Sequence, residues 1–266
     1  IFMIKLYVLL MQQTNNPKAI ILAGAPGAGK GYILSGLDLG GLKILNIDNI
    51  FIEKLKQANV SLDLKNASPE NRSKAAIAMA AANKEFKGKI STTIEGKEPF
   101  ILDGTAASIK QTAQLKNELE EVGYDVFMLY VYSDLERTLR QNQDRFEKSD
   151  SKDRSLAPAI VLRTWASVTS NFKPYEAMFK DNFISVANTL GDEKLSDVEE
   201  IIKKYLDPFK PTGTKPKTDK QKAKSEKSKA DLNVKVKELL ANDVNTIINN
   251  SVSREEAQAK IKQFLS

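Results

Sequence analysis

The sequence predicts an α/β protein built on one parallel five-stranded sheet with helices over both faces. Two observations carry this. Short apolar runs of strand length alternate along the chain with longer stretches of helical composition or period. The first run, Lys18–Ala23, passes directly into a glycine-rich turn and then a helical pattern, the order expected of strand, crossover and helix. Strands joined by helices pair in parallel and are buried on both faces.

The elements follow in order. KAIILA at Lys18–Ala23 is the first strand, and 42–47 is a second apolar run ending at Asp48. Residues 69–86 are Ala-rich with scattered charges, which favours helix. Residues 100–102 form a third strand ending at Asp103. An amphipathic helix over 109–122 is closed by Gly123 as a C-terminal cap. VFMLYVY at 126–132 is a fourth strand, after which Ser133 or Asp134 caps a helix carrying Arg137, Arg140 and Arg145. A polar stretch over 147–155 precedes a helix over 158–172, a fifth strand over 182–187 and a closing helix over 197–205. Trp165 reads as core or lid packing, with base stacking as the alternative.

Four segments are expected: an N-terminal extension (1–16), an α/β body (17–206), a flexible Lys-rich linker (207–230) and a C-terminal helical hairpin (231–266). The apolar stretch 1–11 is about half the length of a membrane span and lacks a signal-peptide cleavage site. It reads as an edge strand or a disordered end, with Met11 as a candidate start. Within the linker, residues 208–230 hold eight lysines against Asp219 and Glu226, a surplus of six that equals the formal net charge of the whole chain. Its one large apolar side chain, Phe209, cannot offset the ordering entropy of such a segment. The hairpin, whose second helix opens on a Ser253/Glu256 capping box, would dock on the body or on a protein partner.

Composition narrows the chemistry. The chain has no cysteine and no histidine. Disulfide frameworks, Cys/His zinc sites and every catalytic scheme with a histidine base are thereby excluded. A metal would have to be a hard ion held by oxygens, such as Mg2+. The absence of cysteine fits a cytoplasmic protein, and no membrane segment is expected.

The turn Gly24-Ala25-Pro26-Gly27-Ala28-Gly29-Lys30-Gly31 matches GxxxxGK between a strand and a helix. Glycines let backbone N–H groups turn inward around phosphates, the helix N-terminus adds a positive dipole end, and Lys30 reaches the outer phosphates. This predicts ATP or GTP binding by residues 24–31 together with Tyr32. Gly31 stands where a Mg2+-binding Ser or Thr usually follows the lysine, and Tyr32 is a poor substitute because its hydroxyl lies at the end of a rigid ring.

Asp103, in the turn Asp103-Gly104-Thr105, is placed to orient hydrated Mg2+ from a strand's C-terminal end, and the Thr105 hydroxyl is offered to substrate. With no histidine, a carboxylate must take the proton of an acceptor hydroxyl. Asp48 is the first candidate and Glu53 the second; the competing reading makes Asp48 the N-cap of the next helix. Arg145 and Arg154, flanking the polar stretch, are the best candidates for phosphate clamps on a lid, with Arg137, Arg140 and Arg163 as further phosphate ligands or solvated helix residues.

This set of residues over 18–188 (the loop 24–31, Asp48, Asp103-Gly104-Thr105, Gly123-Tyr124 and the arginine-bearing segment) resembles zeta-toxin-type P-loop kinases, and more widely polynucleotide and adenylate kinases. Zeta-type kinases carry Glu-Gly-Thr where this chain has Asp103-Gly104-Thr105. The resemblance implies a P-loop kinase three-layer sandwich that transfers phosphoryl from ATP or GTP to a hydroxyl of a nucleotide, nucleotide sugar or nucleic-acid end. Lys30 would then bind phosphate, Asp48 act as base, Asp103 and Thr105 contact metal or substrate, and Arg145 or Arg154 clamp phosphates. Two alternatives are a non-catalytic nucleotide-binding module tethered by its hairpin, and a nucleic-acid end kinase whose lysine run makes a weak contact with the strand.

Overall fold

The computed structural model describes residues 16–35, 42–64, 67–148, 153, 156–188 and 219–242. The N-terminal run 1–11, Arg154, the helix expected over 197–205, the linker up to 218 and the Ser253/Glu256 capping box lie outside the described residues.

Five strands, β1 (Lys18–Ala23), β2 (Lys43–Asn46), β3 (Phe100–Asp103), β4 (Asp125–Tyr132) and β5 (Phe183–Ala187), form one parallel sheet in the order β2-β3-β1-β4-β5. All six residues of β1 are buried. Ala19, Ile21 and Ala23 face one core, with Met128, Tyr130 and Trp165; Ile20 and Leu22 face the other, with Ile33, Phe127 and Ile184. A strand buried on both sides has no polar face, which is why it reads as a continuous apolar run.

The helices are α1 (Lys30–Ser35), α2 (Ile47–Gln57), α3 (Pro69–Glu95), α4 (Ile109–Glu121), α5 (Leu135–Lys148), α6 (Pro158–Ser170), α7 (Phe172–Phe179) and α8 (Asp219–Asn242). Among the described residues, none is long and apolar enough to cross a membrane. Helix α3 runs nine residues past its expected end because Phe86, Ile90 and Ile94 continue an i, i+4 stripe onto the core until Gly96 stops it. Asp134 caps α5, its Oδ1 accepting from the Arg137 N–H at 2.7 Å. Gly123, at φ 88°, follows α4, and its N–H donates to Glu120 O. Trp165 is core: it is buried and donates from Nε1 to Ser133 O at 2.8 Å.

The linker and hairpin boundaries need correction. Helix α8 starts at Asp219, inside the segment expected to be flexible, and runs unbroken through the boundary at 230/231. Beyond Pro216 there is neither proline nor glycine as far as Asn242, and Lys, Gln, Ala and Glu are good helix formers. Its C-terminal half is anchored: Val236, Leu239 and Leu240 are buried in the core that holds Trp165, and α8 packs on α6. Tertiary burial of one half supports a helix that propensity alone would leave marginal.

Candidate active site

A cavity of about 710 Å³ opens at the C-terminal ends of β1 and β3. Pro26, Gly27, Gly29, Lys30 and Gly31 line it from the glycine loop, Asp48 from α2, and Asp103, Gly104 and Thr105 from the end of β3; Gln141, Asp144 and Arg145 line it from α5. In open parallel sheets ligands bind at these strand ends.

The loop is tightly held. Gly27 has φ +87°, and a Cβ there would lie 2.5 Å from Thr138 O, so α5 approaches as closely as it does only because residue 27 is glycine. The Gln141 amide, oriented so that both of its bonds are satisfied, donates to Gly27 O and accepts from Arg137 Nε at 2.9 Å. The Gly24 N–H donates to Thr105 O at 3.2 Å, joining the loop to the turn after β3. That turn is braced in its own right: Ala106 has φ 49°, and its carbonyl accepts from the Tyr175 hydroxyl at 2.6 Å.

Lys30 folds back on the loop, donating from Nζ to Gly24 O at 2.9 Å and Ala25 O at 3.2 Å. Burial lowers its pKa, against the opposing pull of Asp103 and then Asp48. Burial likewise raises the pKa of Asp103, while Lys30 and the Asn46 amide pull it down. The ammonium and the carboxylate each compensate a charge that desolvation penalises.

Asp48 is not a strand end. β2 stops at Asn46, which N-caps α2 by accepting the Asp48 N–H on Oδ1 at 2.7 Å. The capping job falls to Asn46, and Asp48 occupies the first helical turn with its residue on the cavity wall.

The other candidates divide. Thr105 and Arg145 line the cavity, and Arg145 is ion-paired with Asp153. Arg140 pairs with Glu136 on the outer face of α5, Arg163 is exposed on α6, and Glu53 accepts from Gln57 on the outside of α2; none of the three lines the cavity. Tyr32 is 60% exposed and is not among the residues that line the cavity: one residue past Gly31, the helix turns it outward. Gly24, Ala25 and Ala28 support the loop from behind: the carbonyls of Gly24 and Ala25 hold Lys30, and Ala25 and Ala28 are buried. Sequence reasoning missed Asn46, Gln141 and Asp144, which also line the cavity. An Asn just before a helical pattern is a usable capping signal for Asn46; the other two carry none.

The strand order, the glycine loop between β1 and α1 and the carboxylate at the end of β3 define a P-loop kinase-like α/β fold. The chain belongs to the Zeta toxin family, whose model matches residues 8–195. Among solved structures it is similar to a chain of the AvrRxo1-ORF1:AvrRxo1-ORF2 complex with sulphate ions, at TM-score 0.51 and 15% identity over 96% of this chain and 83% of that one. The native form of that complex gives TM-score 0.51 and 13% identity over 97% and 83%. The PezAT toxin-antitoxin system of Streptococcus pneumoniae gives 0.49 and 14% over 89% and 95%. At these identities the likeness is one of fold. No curated protein matches the chain.

Proposed function

We propose that this protein is a kinase that transfers the γ-phosphoryl group of ATP or GTP to a hydroxyl of a nucleotide, nucleotide sugar or nucleic-acid end. The observation that carries the reading is the convergence of Lys30, Asp48, Asp103 and Arg145 on one cavity around the glycine loop. Asp48 in the same cavity offers a proton acceptor to an incoming hydroxyl, which supports catalysis over binding alone.

In this reading the backbone N–H groups of the loop hold the phosphates and Lys30 exchanges its carbonyl partners for phosphate oxygens. The acceptor oxygen attacks γ-phosphorus, the bond from that phosphorus to the β–γ bridging oxygen breaks, and the hydroxyl proton passes to Asp48. Arg145 and Lys30 neutralise charge on the transferring group.

The donor set suits a hard divalent ion. Asp103 is an oxygen donor at the strand end, and Gly31 supplies no hydroxyl, so Asp103 would hold Mg2+ through water beside phosphate oxygens. Bound there, Mg2+ would offset negative charge on the phosphates.

ATP or GTP as donor fits a cytoplasmic protein. A protein partner is also proposed, on the analogy of the two-chain AvrRxo1 complex. Its surface on 231–266 would exclude Val236, Leu239 and Leu240, which face this chain's own core. The exposed lysines of α8 could add a weak, salt-sensitive contact to an acidic strand.

The test is transfer of label from γ-labelled ATP or GTP, with Mg2+, to a panel of nucleotides, nucleotide sugars and 5′-hydroxyl oligonucleotides. Label should appear in one acceptor class and vanish with Lys30→Ala. Nucleotide binding without transfer to any acceptor would leave the binding-module reading in its place.

A further inference from the structure

Asn188 follows β5 directly, with its backbone N–H donating to Tyr132 O at 2.8 Å. Its side chain crosses to the glycine loop and donates from Nδ2 to Ala28 O at 2.9 Å. The contact is close: a Cβ on Gly29, whose φ is +87°, would lie 2.2 Å from that nitrogen. The loop therefore has room for this amide only because residue 29 is glycine.

The consequence follows from the geometry of one peptide. A trans peptide is planar, and its N–H points opposite to its C=O. The carbonyl of Ala28 and the N–H of Gly29 belong to the same plane, so fixing the carbonyl towards Asn188 fixes the N–H away from it. Gly29 lines the cavity. Glycine on one side of that plane makes the opposite orientation sterically accessible, and without an anchor the peptide could turn its carbonyl oxygen towards an incoming anion.

We propose that Asn188 is a positioning residue, locking the Ala28–Gly29 peptide with its N–H towards the phosphates. The inference rests on the reading of the loop as a phosphate site. Asn188 touches no ligand in this role and acts through the backbone. Its anchor is rigid because the end of β5 is hydrogen-bonded to β4 in register. The sheet thus sets the orientation of a loop amide from the strand farthest from β2.

The test compares binding of ATP and of inorganic tripolyphosphate, by calorimetry, in the wild type, Asn188→Ala and Asn188→Asp. A hydrogen bond to a charged group is worth roughly ten- to a hundredfold in affinity, so Asn188→Ala should lose about tenfold or more for both ligands, with the melting temperature little changed. Asn188→Asp should lose more at neutral pH, because an ionised carboxylate cannot donate to Ala28 O and repels the anion. As pH falls through the carboxyl range, that side chain can donate again, and its affinity should rise above that of Asn188→Ala. Charge repulsion alone predicts wild-type affinity for Asn188→Ala, and that result would overturn the proposal. So would an Asn188→Asp affinity that acid never lifts above that of Asn188→Ala. If the wild type binds neither ligand, the phosphate reading of the loop falls and this inference falls with it; wild-type binding with unaffected variants overturns the inference alone.

Discussion

The side chain of Asn46 donates from Nδ2 to Asp103 Oδ2 at 2.6 Å, joining the ends of β2 and β3 where the two residues are register partners. The same amide accepts the Asp48 N–H on its other end. One neutral side chain thus sets the spacing of two carboxyl-bearing residues on the cavity wall. An amide suits this position because it offers a donor and an acceptor at once, which an ionised Asp would not.

Asn46→Ala removes both bonds. Loss of the N-cap should cost about 1 kcal/mol of stability, and Asp103, losing a donor, should move further above the ordinary carboxylate range. Turnover should therefore fall more than the small loss of stability explains. The measurement is kcat beside the melting temperature. An Asn46→Ala protein with normal kcat would show that Asp103 needs no such orientation.

Asp48→Asn should lower kcat by roughly a hundredfold or more while leaving nucleotide affinity almost unchanged, as expected for a group acting on the acceptor proton. The melting temperature should hardly move, since Asn46 and not Asp48 caps α2. Single-turnover transfer and calorimetric nucleotide binding, measured together, check this. A variant that melts earlier but transfers phosphate normally would return the base to another residue.

Asp103 makes a prediction about pH. Its pKa is raised in the folded protein, chiefly by burial. The folded state therefore holds the proton more tightly than the unfolded chain, whose carboxyl titrates near about 3.9. The stability this contributes is complete below that value and is lost as pH rises through the folded-state pKa. Asn mimics the protonated carboxyl at every pH. Melting curves of Asp103→Asn and wild type should nearly coincide in acid, and the variant should become progressively the more stable as pH rises to neutrality, although it loses activity. A gap that is constant with pH would contradict the raised pKa.

What was legible in the sequence was whatever local chemistry dictates. β1 and β4 announce themselves because strands buried on both faces must be apolar throughout, and the glycine loop because only glycine tolerates the backbone at residues 27 and 29. Asp103 was legible because it ends an apolar run. Asp48 was placed on the right wall for an incomplete reason: the strand ends two residues earlier, and which of two neighbouring polar residues caps a helix depends on backbone geometry. Gln141 and Asn188 were invisible, since each acts through a contact with a loop more than 100 residues earlier in the chain. Helical phase turns Arg140 and Tyr32 outward, which residue type alone does not announce. The α8 boundary failed because composition described the segment's mean, whereas a few buried residues at its far end anchor the helix.

The last prediction concerns that helix. If 219–242 were a detached tail, its removal would leave the body untouched. Instead Val236, Leu239 and Leu240 share the core of Trp165, and Leu239 is 7% exposed. Truncating a buried Leu to Ala typically costs at least about 2 kcal/mol, or roughly 4–8 °C in a chain of this size. Leu239→Ala should lower the melting temperature by that order, while Lys224→Ala, on the exposed half of the same helix, should not. Deleting 207–266 should destabilise the body further, because it uncovers the whole apolar face of α6 that α8 packs on, and nucleotide binding would weaken only through that loss of stability. Equal melting temperatures for the full chain, Leu239→Ala and the deletion would show that the packing on α6 contributes nothing to the fold, and that α8 is available in full to a partner.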